Sequence, residues 1–302
     1  MTKNFKKRRL VYVLRQIAAD GITVLHEVKI KGHRSSFSST PVGGGFMMTD
    51  AAISIWGLNE NDMDRFAYLF FEDQVSNEGL YRDKFLIRVF AGDDTGDGTL
   101  IFDGNIVSAY ADYSRAPEVP YVIEASSGFN LLMAPAANNA YKGEHSAASI
   151  IESLAESAGY TTVNLGFNDA VLRDQNLSGV LYEQIETVIN AVGGSAQVFG
   201  TTIYFWSNSK QPDVSVVPTL DVSAEFGMVG FPTFSTSGLS VTVVTNPRVL
   251  VGSRVKVTSS TVKKANGVWD VFNYRHDLSD QIPGGPWFTR IDLLPKGAVT
   301  DD

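Results

Sequence analysis

MMTDAAISIWGLNENDMDRFAYLFF, Met47 to Phe71, joins two structural periods without a linker, and its reading governs the rest of the chain. Ala51 to Trp56 alternate with small polar residues and include the β-favouring Ile53, Ile55 and Trp56, which predicts a half-buried strand. Gly57 breaks it. Asn59 can then accept a hydrogen bond from the first free amides of a helix, with Glu60, Asp62 and Asp64 at the positive end of its dipole. Met63, Phe66, Ala67 and Phe70 recur at helical spacing and predict a helix with one apolar stripe.

The 302 residues exceed the size at which one core stays single, so two or three domains are expected. With 44% hydrophobic and 19% charged residues the chain is globular, and its 27 glycines with many Val, Ile, Phe and Tyr favour strands and turns. The absence of cysteine excludes thiolate nucleophiles, Cys-ligated zinc, iron–sulfur clusters and disulfides. A formal net charge of −8 argues against a large nucleic-acid-binding surface, which needs clustered Lys and Arg. The basic run Lys6, Lys7, Arg8, Arg9 reads as a solvated end or a local docking patch. The segment after it, interrupted by Arg15 and Asp20, does not read as a signal peptide, and no apolar run approaches the ~20 residues that span a bilayer.

Leu10 to Ile17 and Ile22 to Lys31 predict two strands joined at Asp20-Gly21, with Ile22, Val24, His26, Val28 and Ile30 on one face. GHRSSFSSTPVGGGF, Gly32 to Phe46, is rich in small and turn-forming residues and predicts a long mobile hairpin tip or arm, ordered by a neighbour and not by the chain's own core. Phe85 to Ala91, Thr99 to Ala109 and Tyr121 to Ala125 follow as strands. The turn GDDTGDGT resembles a calcium loop at Asp93, Thr95 and Asp97 but lacks the closing glutamate, Gly104 standing there, so a hairpin is expected. Residues 1–133 thus form a β-domain with one helix, a small barrel or sandwich.

Residues 134–218 change character. Ser146 can cap a helix with Ile150, Ile151, Leu154, Ala155 and Ala158 inside and Gly159 at its end, and Ser178 can begin another with Leu181, Ile185, Val188, Ile189 and Val192 inside. Each is followed by a strand, Thr161 to Leu165 and then a hairpin around Gly200, which makes an α+β module. In residues 219–302, Leu239 to Thr245, Arg254 to Thr258, Gly267 to Leu278 and Trp287 to Leu294 predict a second β-domain. The fold class is α+β, strand-dominated, with two β-barrel or sandwich domains beside a small α+β module.

No catalytic, cofactor-binding or metal-binding residue emerges. His26, His33, His145 and His276 lack ligand spacing, and no nucleophile elbow, Walker loop or dinucleotide glycine pattern occurs. Asp103, Glu124 and Glu144 are carboxylates available to glycoside hydrolysis only as any acidic residue is. Strands rich in aromatics without a catalytic signature point to an assembly or binding protein.

TNPRVLVGSRVKV, VWDVFNYRHDL and GGPWFTRIDLLP resemble the closing β-domain of phage baseplate hub proteins. Asn246, Pro247, Gly252, Val255, Val257, His276, Trp287 and Thr289 occupy that family's turn, strand and histidine places. Phe37 with its glycine and proline-rich link, the strand AAISIWGLN, LIFDGNIVSAYADY (Leu100 to Tyr113) and YKGEHSAASII are similar to further hub elements. The resemblance implies a homotrimer whose two tube-like β-domains per chain make a ring of six units. Such a ring joins a sixfold tail tube to a threefold spike and lets DNA pass. It implies a virion protein of the tail baseplate, made in the host cytoplasm, that is not an enzyme. Its partners are itself, the tail tube protein, the central spike protein and other baseplate proteins, with no sequence-specific DNA recognition and no stable membrane insertion. An acidic inner wall is expected, with Asp93, Asp94, Asp97 and Asp112 as contributors. The competing reading is a tail-associated glycan-cleaving enzyme or a carbohydrate-binding adhesin, stacking sugars on Trp56, Trp206, Trp269 or Trp287.

Overall fold

Apolar and polar residues alternate through most of the chain, which puts successive side chains on opposite faces of strands. A computed structural model describes residues 7–18, 23–69, 84–93, 95–133, 136–167, 170–208, 219–236, 238–244 and 249–295. The first part holds strands β1 (Arg8–Ile17), β2 (Val24–Lys31), β3 (Ser35–Val42), β4 (Phe46–Trp56), β5 (Tyr68–Leu69), β6 (Lys84–Asp93), β7 (Thr99–Ala111) and β8 (Pro120–Ser126), with helices α1 (Glu60–Arg65) and α2 (Phe129–Met133). Strands β9 (Asn139–Ser146), β10 (Thr161–Asn164), β11 (Val171–Leu177), β12 (Gly194–Phe199) and β13 (Thr202–Ser207) alternate with helices α3 (Ala147–Ser157) and α4 (Leu181–Ala191). The last part is β14 (Leu220–Ser223), β15 (Thr233–Phe234), β16 (Leu239–Val243), β17 (Arg254–Thr258), β18 (Gly267–Asp280) and β19 (Trp287–Pro295). The strand-dominated α+β class is as the sequence predicts.

A continuous path of paired strands runs β2, β1, β6, β7, β8, β4, β3, β18, β19, β16, β15. Among the described residues it does not close into a barrel. At the place where β1 reaches the end of β18, the Asp280 carboxylate accepts the Leu10 amide at 3.1 Å, a side-chain bond where a strand ladder would seal the sheet.

Two long strands are shared between regions. β18 pairs with β19 along one side, while its other side meets β17 over Arg254 to Val257 and then β3 over Ser35 to Ser39. β4 meets β12 at Phe46 and Met47 and β8 from Asp50 onward. Three apolar clusters lie along these strands. One is built on β1, β3, β4, β6, β7 and β8, and it takes Leu278 and Trp287 from β18 and β19. A second packs α3 and α4 on β12 and β13 and includes Phe46. The third fills the sheet of β16 to β19 and includes Met47 and Trp206.

Gln197 on β12 stands where the three meet, fully buried. Its Oε1 accepts the Val251 amide at 2.9 Å, which fixes Nε2 as the donor to Thr49 Oγ1 at 3.2 Å and Tyr274 OH at 3.0 Å.

The expectation of a mobile arm over Gly32 to Phe46 is overturned: Ser35 to Val42 is a central strand. Ser35, Phe37, Ser39 and Pro41 face inward, and Phe37 meets Phe102 edge-on at 6.2 Å. Pro41, which cannot donate to a ladder, sits beyond the last residue paired with β18. The glycines turn the chain. Gly43 has φ +112°, and a Cβ on Gly45 would come within 2.6 Å of Asn190 Oδ1.

Helix α1 is shorter than the stripe to Phe70 predicts. Asn59 accepts the Asp62 amide at 2.8 Å as expected, and Met63 and Phe66 are buried. The Phe66 carbonyl then accepts Tyr121 OH at 2.7 Å, and the chain turns into β5 to pair with β7. Phe70 and Phe71 lie outside the described residues, as do Asp20-Gly21 and Asn246-Pro247. Ser146 caps α3 as predicted, but Ser178 does not begin α4, because Gly179 at φ +92° breaks the helical run and Val180 takes the cap position.

Replacing Gln197 with leucine removes the acceptor of the buried Val251 amide and the donor to the Thr49 and Tyr274 hydroxyls. Gln197→Leu should lower unfolding free energy by roughly 3–5 kcal/mol in denaturant titration. His276, buried in β18 with Nδ1 2.8 Å from Thr289 Oγ1, gives a second test. Burial lowers its pKa from 6.5 to about 4, so between those values the unfolded chain binds a proton that the folded chain does not. The stability this neutral ring contributes is complete above pH 6.5 and falls away toward pH 4, by up to about 3 kcal/mol. Denaturation measured over this window should give a flatter pH dependence for His276→Gln than for the unaltered chain.

Candidate functional face

The strand path has one face on the cores and, from β7 to β19, a second face that is largely open, although Asn105 and Ser126 on it are buried. One register row crosses it: Ser108, Glu124, Ala52, Ser38, Asp277 and Phe288 stand opposite one another on β7, β8, β4, β3, β18 and β19. In the next row Asn105, Ser126, Asp50 and Thr40 are aligned. Apart from Glu124, Phe288 and the arginines Arg275 and Arg290, the side chains are mostly short, because period-two alternation sends most large apolar ones to the cores.

The charges on this face are unequal in effect. Arg275 binds Asp277 bidentately at 3.0 and 2.9 Å, and Arg290 reaches Asp292 at 3.2 Å, each pair on one side of one strand. Asp50 and Glu124 are exposed and accept only hydroxyls, from Ser126 at 2.6 Å and Ser108 at 3.1 Å. Their charge is therefore left over. A depression of about 510 Å³ lies between Met48, Asp50, Glu124, Phe129, Leu132 and Arg275.

The acidic residues singled out by sequence lie elsewhere and are engaged locally. Asp93 accepts the Thr95 amide at 2.8 Å within the β6–β7 hairpin. Asp97 is bound to Lys29 at 2.5 Å, a hydrogen bond that holds its carboxyl below the usual range. Asp112 caps a short turn through Ser114, which likewise lowers its pKa, and also meets Arg115 at 2.9 Å. Asp94 lies outside the described residues. Alternation marks Asp50 and Glu124 as outward-facing, but their placement in one field depends on pairing between β4 and β8, which strand period alone does not supply.

Two of the three carboxylates considered for hydrolysis have a cationic partner, while Glu124 accepts only the Ser108 hydroxyl. Asp103 meets Arg88 at 3.0 Å, and burial lifts its pKa although that arginine works the other way. Glu144 pairs with Arg173 across β9 and β11. Of the tryptophans, Trp206 and Trp287 are buried, and the guanidinium of Arg34 covers the ring of Trp56 at 4.6 Å. The histidines are dispersed. His26 is exposed on β2, while His33 and His145 contact the carbonyls of Trp56 and Lys142. Arg8 lies over Trp287 at 5.8 Å and Arg9 is 3.6 Å from Asp280, which places that part of the basic run against β18 and β19.

Residues 45–282, well over half of the chain, match the model of a family described as baseplate hub gp41. No curated protein matches the sequence. Among solved structures, the chain is similar to the tail protein from Neisseria meningitidis MC58, at 13% identity and a TM-score of 0.58 over 97% of this chain and 98% of that one. It is also similar to the 43 kDa tail protein of prophage MuSo2 from Shewanella oneidensis, at 9% identity and a TM-score of 0.55 over 95% and 99% of the two chains. A third likeness is to the E. coli c3393 protein, a type VI secretion component similar in structure to T4 tail proteins gp27 and gp5. It has 11% identity and a TM-score of 0.53 over 97% of this chain and 74% of that one.

If the open face is kept for contact and not for folding, its unshared carboxylates are dispensable to stability. Asp50→Asn and Glu124→Gln should each shift unfolding free energy by less than about 1 kcal/mol in denaturant titration.

Proposed function

Since the chain belongs to the baseplate hub gp41 family and is a structural part of a phage tail baseplate, we propose that three copies form the ring that joins the sixfold tail tube to the threefold central spike. The observation that carries this reading is the single sheet path through two strand-rich regions, held together by β18. On this reading residues 1–133 and 219–302 are the two tube-like domains and residues 134–218 the α+β module beside them. Three copies then supply six strand-rich units, the number a sixfold tube presents. The role is mechanical and not catalytic, and the neighbours are the tube protein, the spike protein and other baseplate proteins.

The open face of the path is the wall of the DNA passage. A passage needs a surface without protruding cations, because unpaired Lys and Arg bind phosphates and release counterions. Arg275 and Arg290 are neutralised by their own neighbours, and Asp50 and Glu124 leave the face acidic. Its short side chains offer DNA few groups to grip.

Light scattering of the purified chain should give three times the mass of one chain, and a monomer across a wide concentration range would count against the ring. Replacing Asp50 and Glu124 together with lysine should keep that mass while raising affinity for duplex DNA at least tenfold at low salt. The gain should shrink as salt increases, as counterion release requires.

A further inference from the structure

Two ends of the sheet path remain open. Among the described residues β2 pairs only with β1, and β15 only with β16. Large apolar side chains are exposed at both. Val24 and Leu25 on β2 are 48% and 42% accessible, and at the other end Phe226, Phe231 and Phe234 are 62%, 63% and 50% accessible. Backbone bonds hold the Phe226 to Phe234 segment in place: the Val229 amide donates to Thr242 at 2.8 Å and the Val244 amide to Gly227 at 2.8 Å. The phenylalanines are therefore presented by an anchored backbone.

The ends differ in charge. Residues 7–31 hold six Lys and Arg; Arg9, Arg15 and Lys29 are paired with Asp280, Glu27 and Asp97, which leaves Lys7, Arg8 and Lys31 against Asp20. Residues 219–244 hold Asp221 and Glu225 and neither Lys, Arg nor His. Like ends repel and unlike ends attract, so this pattern selects a contact between different surfaces of two copies over a symmetric one. A contact of that kind closes a ring when its rotation allows and leaves each copy with both ends covered.

We propose that copies of this chain join head to tail, the β2 end of one packing its Val24 and Leu25 against the Phe226 to Phe234 segment of the next. This rests on the ring described above and names the surfaces that make it. Exposed apolar groups at both ends are buried at once, and the acidic end meets the basic β1–β2 end.

The chain contains no cysteine, so single-cysteine variants report proximity directly. Val24→Cys and Phe231→Cys are produced each alone and co-expressed, then oxidised. Disulfide-linked pairs should form in the co-expressed sample and be absent from either variant alone, and the double variant should yield covalent trimers. Leu25→Asp and Phe231→Asp should each drop the mass to that of one chain with an unchanged circular dichroism spectrum. An unaltered chain that stays monomeric refutes the ring and this contact with it. A trimer that gives no mixed cross-link, or that links either variant to itself, or that survives both aspartate substitutions, refutes the contact alone.

Discussion

The buried amide of Gln197 is the point on which the three parts of the molecule converge. It lies on β12, donates to Thr49 on β4 and Tyr274 on β18, and accepts from the backbone at Val251. A buried amide must satisfy all its groups or incur a desolvation penalty, so this one side chain fixes the approach of three strands at once. Thr49 is held again from its backbone, its amide donating at 2.7 Å to Ser127 Oγ, which in turn donates to the Val198 carbonyl at 3.0 Å. The junction is polar, buried and hydrogen-bonded, and hydrogen-bond geometry makes it more specific in angle than an apolar contact would be.

That junction lets β4 and β18 pass from one core to another without a hinge. A strand shared by two sheets transmits their relative orientation through its own backbone, and a linker would not. The open face consequently stays in register over six strands, from Ser108 to Phe288, across regions far apart in sequence. On the proposed reading, a continuous surface suits a wall past which a long polymer slides. The same continuity fixes the two ends of the strand path with respect to each other.

Much of the fold was legible from local pattern. The alternation in β6, β7, β8, β16, β17 and β19 and the helical stripes of α3 and α4 arise from burial of one face, which leaves its period in the sequence. The Asn59 and Ser146 caps were legible because their side chains act within one turn. The Ser-rich β3 was not. Small residues occupy both its faces, Phe37 apart, so composition resembled a loop while pairing with β4 and β18 made its position central. The length of α1 was also hidden, since Phe66 ends the helix by meeting Tyr121, a residue distant in sequence.

By itself, then, the sequence determined the strand-dominated class, the helical stretch between two strand-rich ones, the likeness of its motifs to baseplate hubs and the excess of negative charge. These are properties of single residues and of short-range periods. Only the tertiary structure decided that the sheet stays open, that β3 lies at its centre, that Asp93, Asp97 and Asp112 are engaged in local contacts and that Asp50 and Glu124 share the open face. Each of these depends on which strands lie side by side, and pairing is settled by packing and hydrogen bonding between residues tens to hundreds of positions apart.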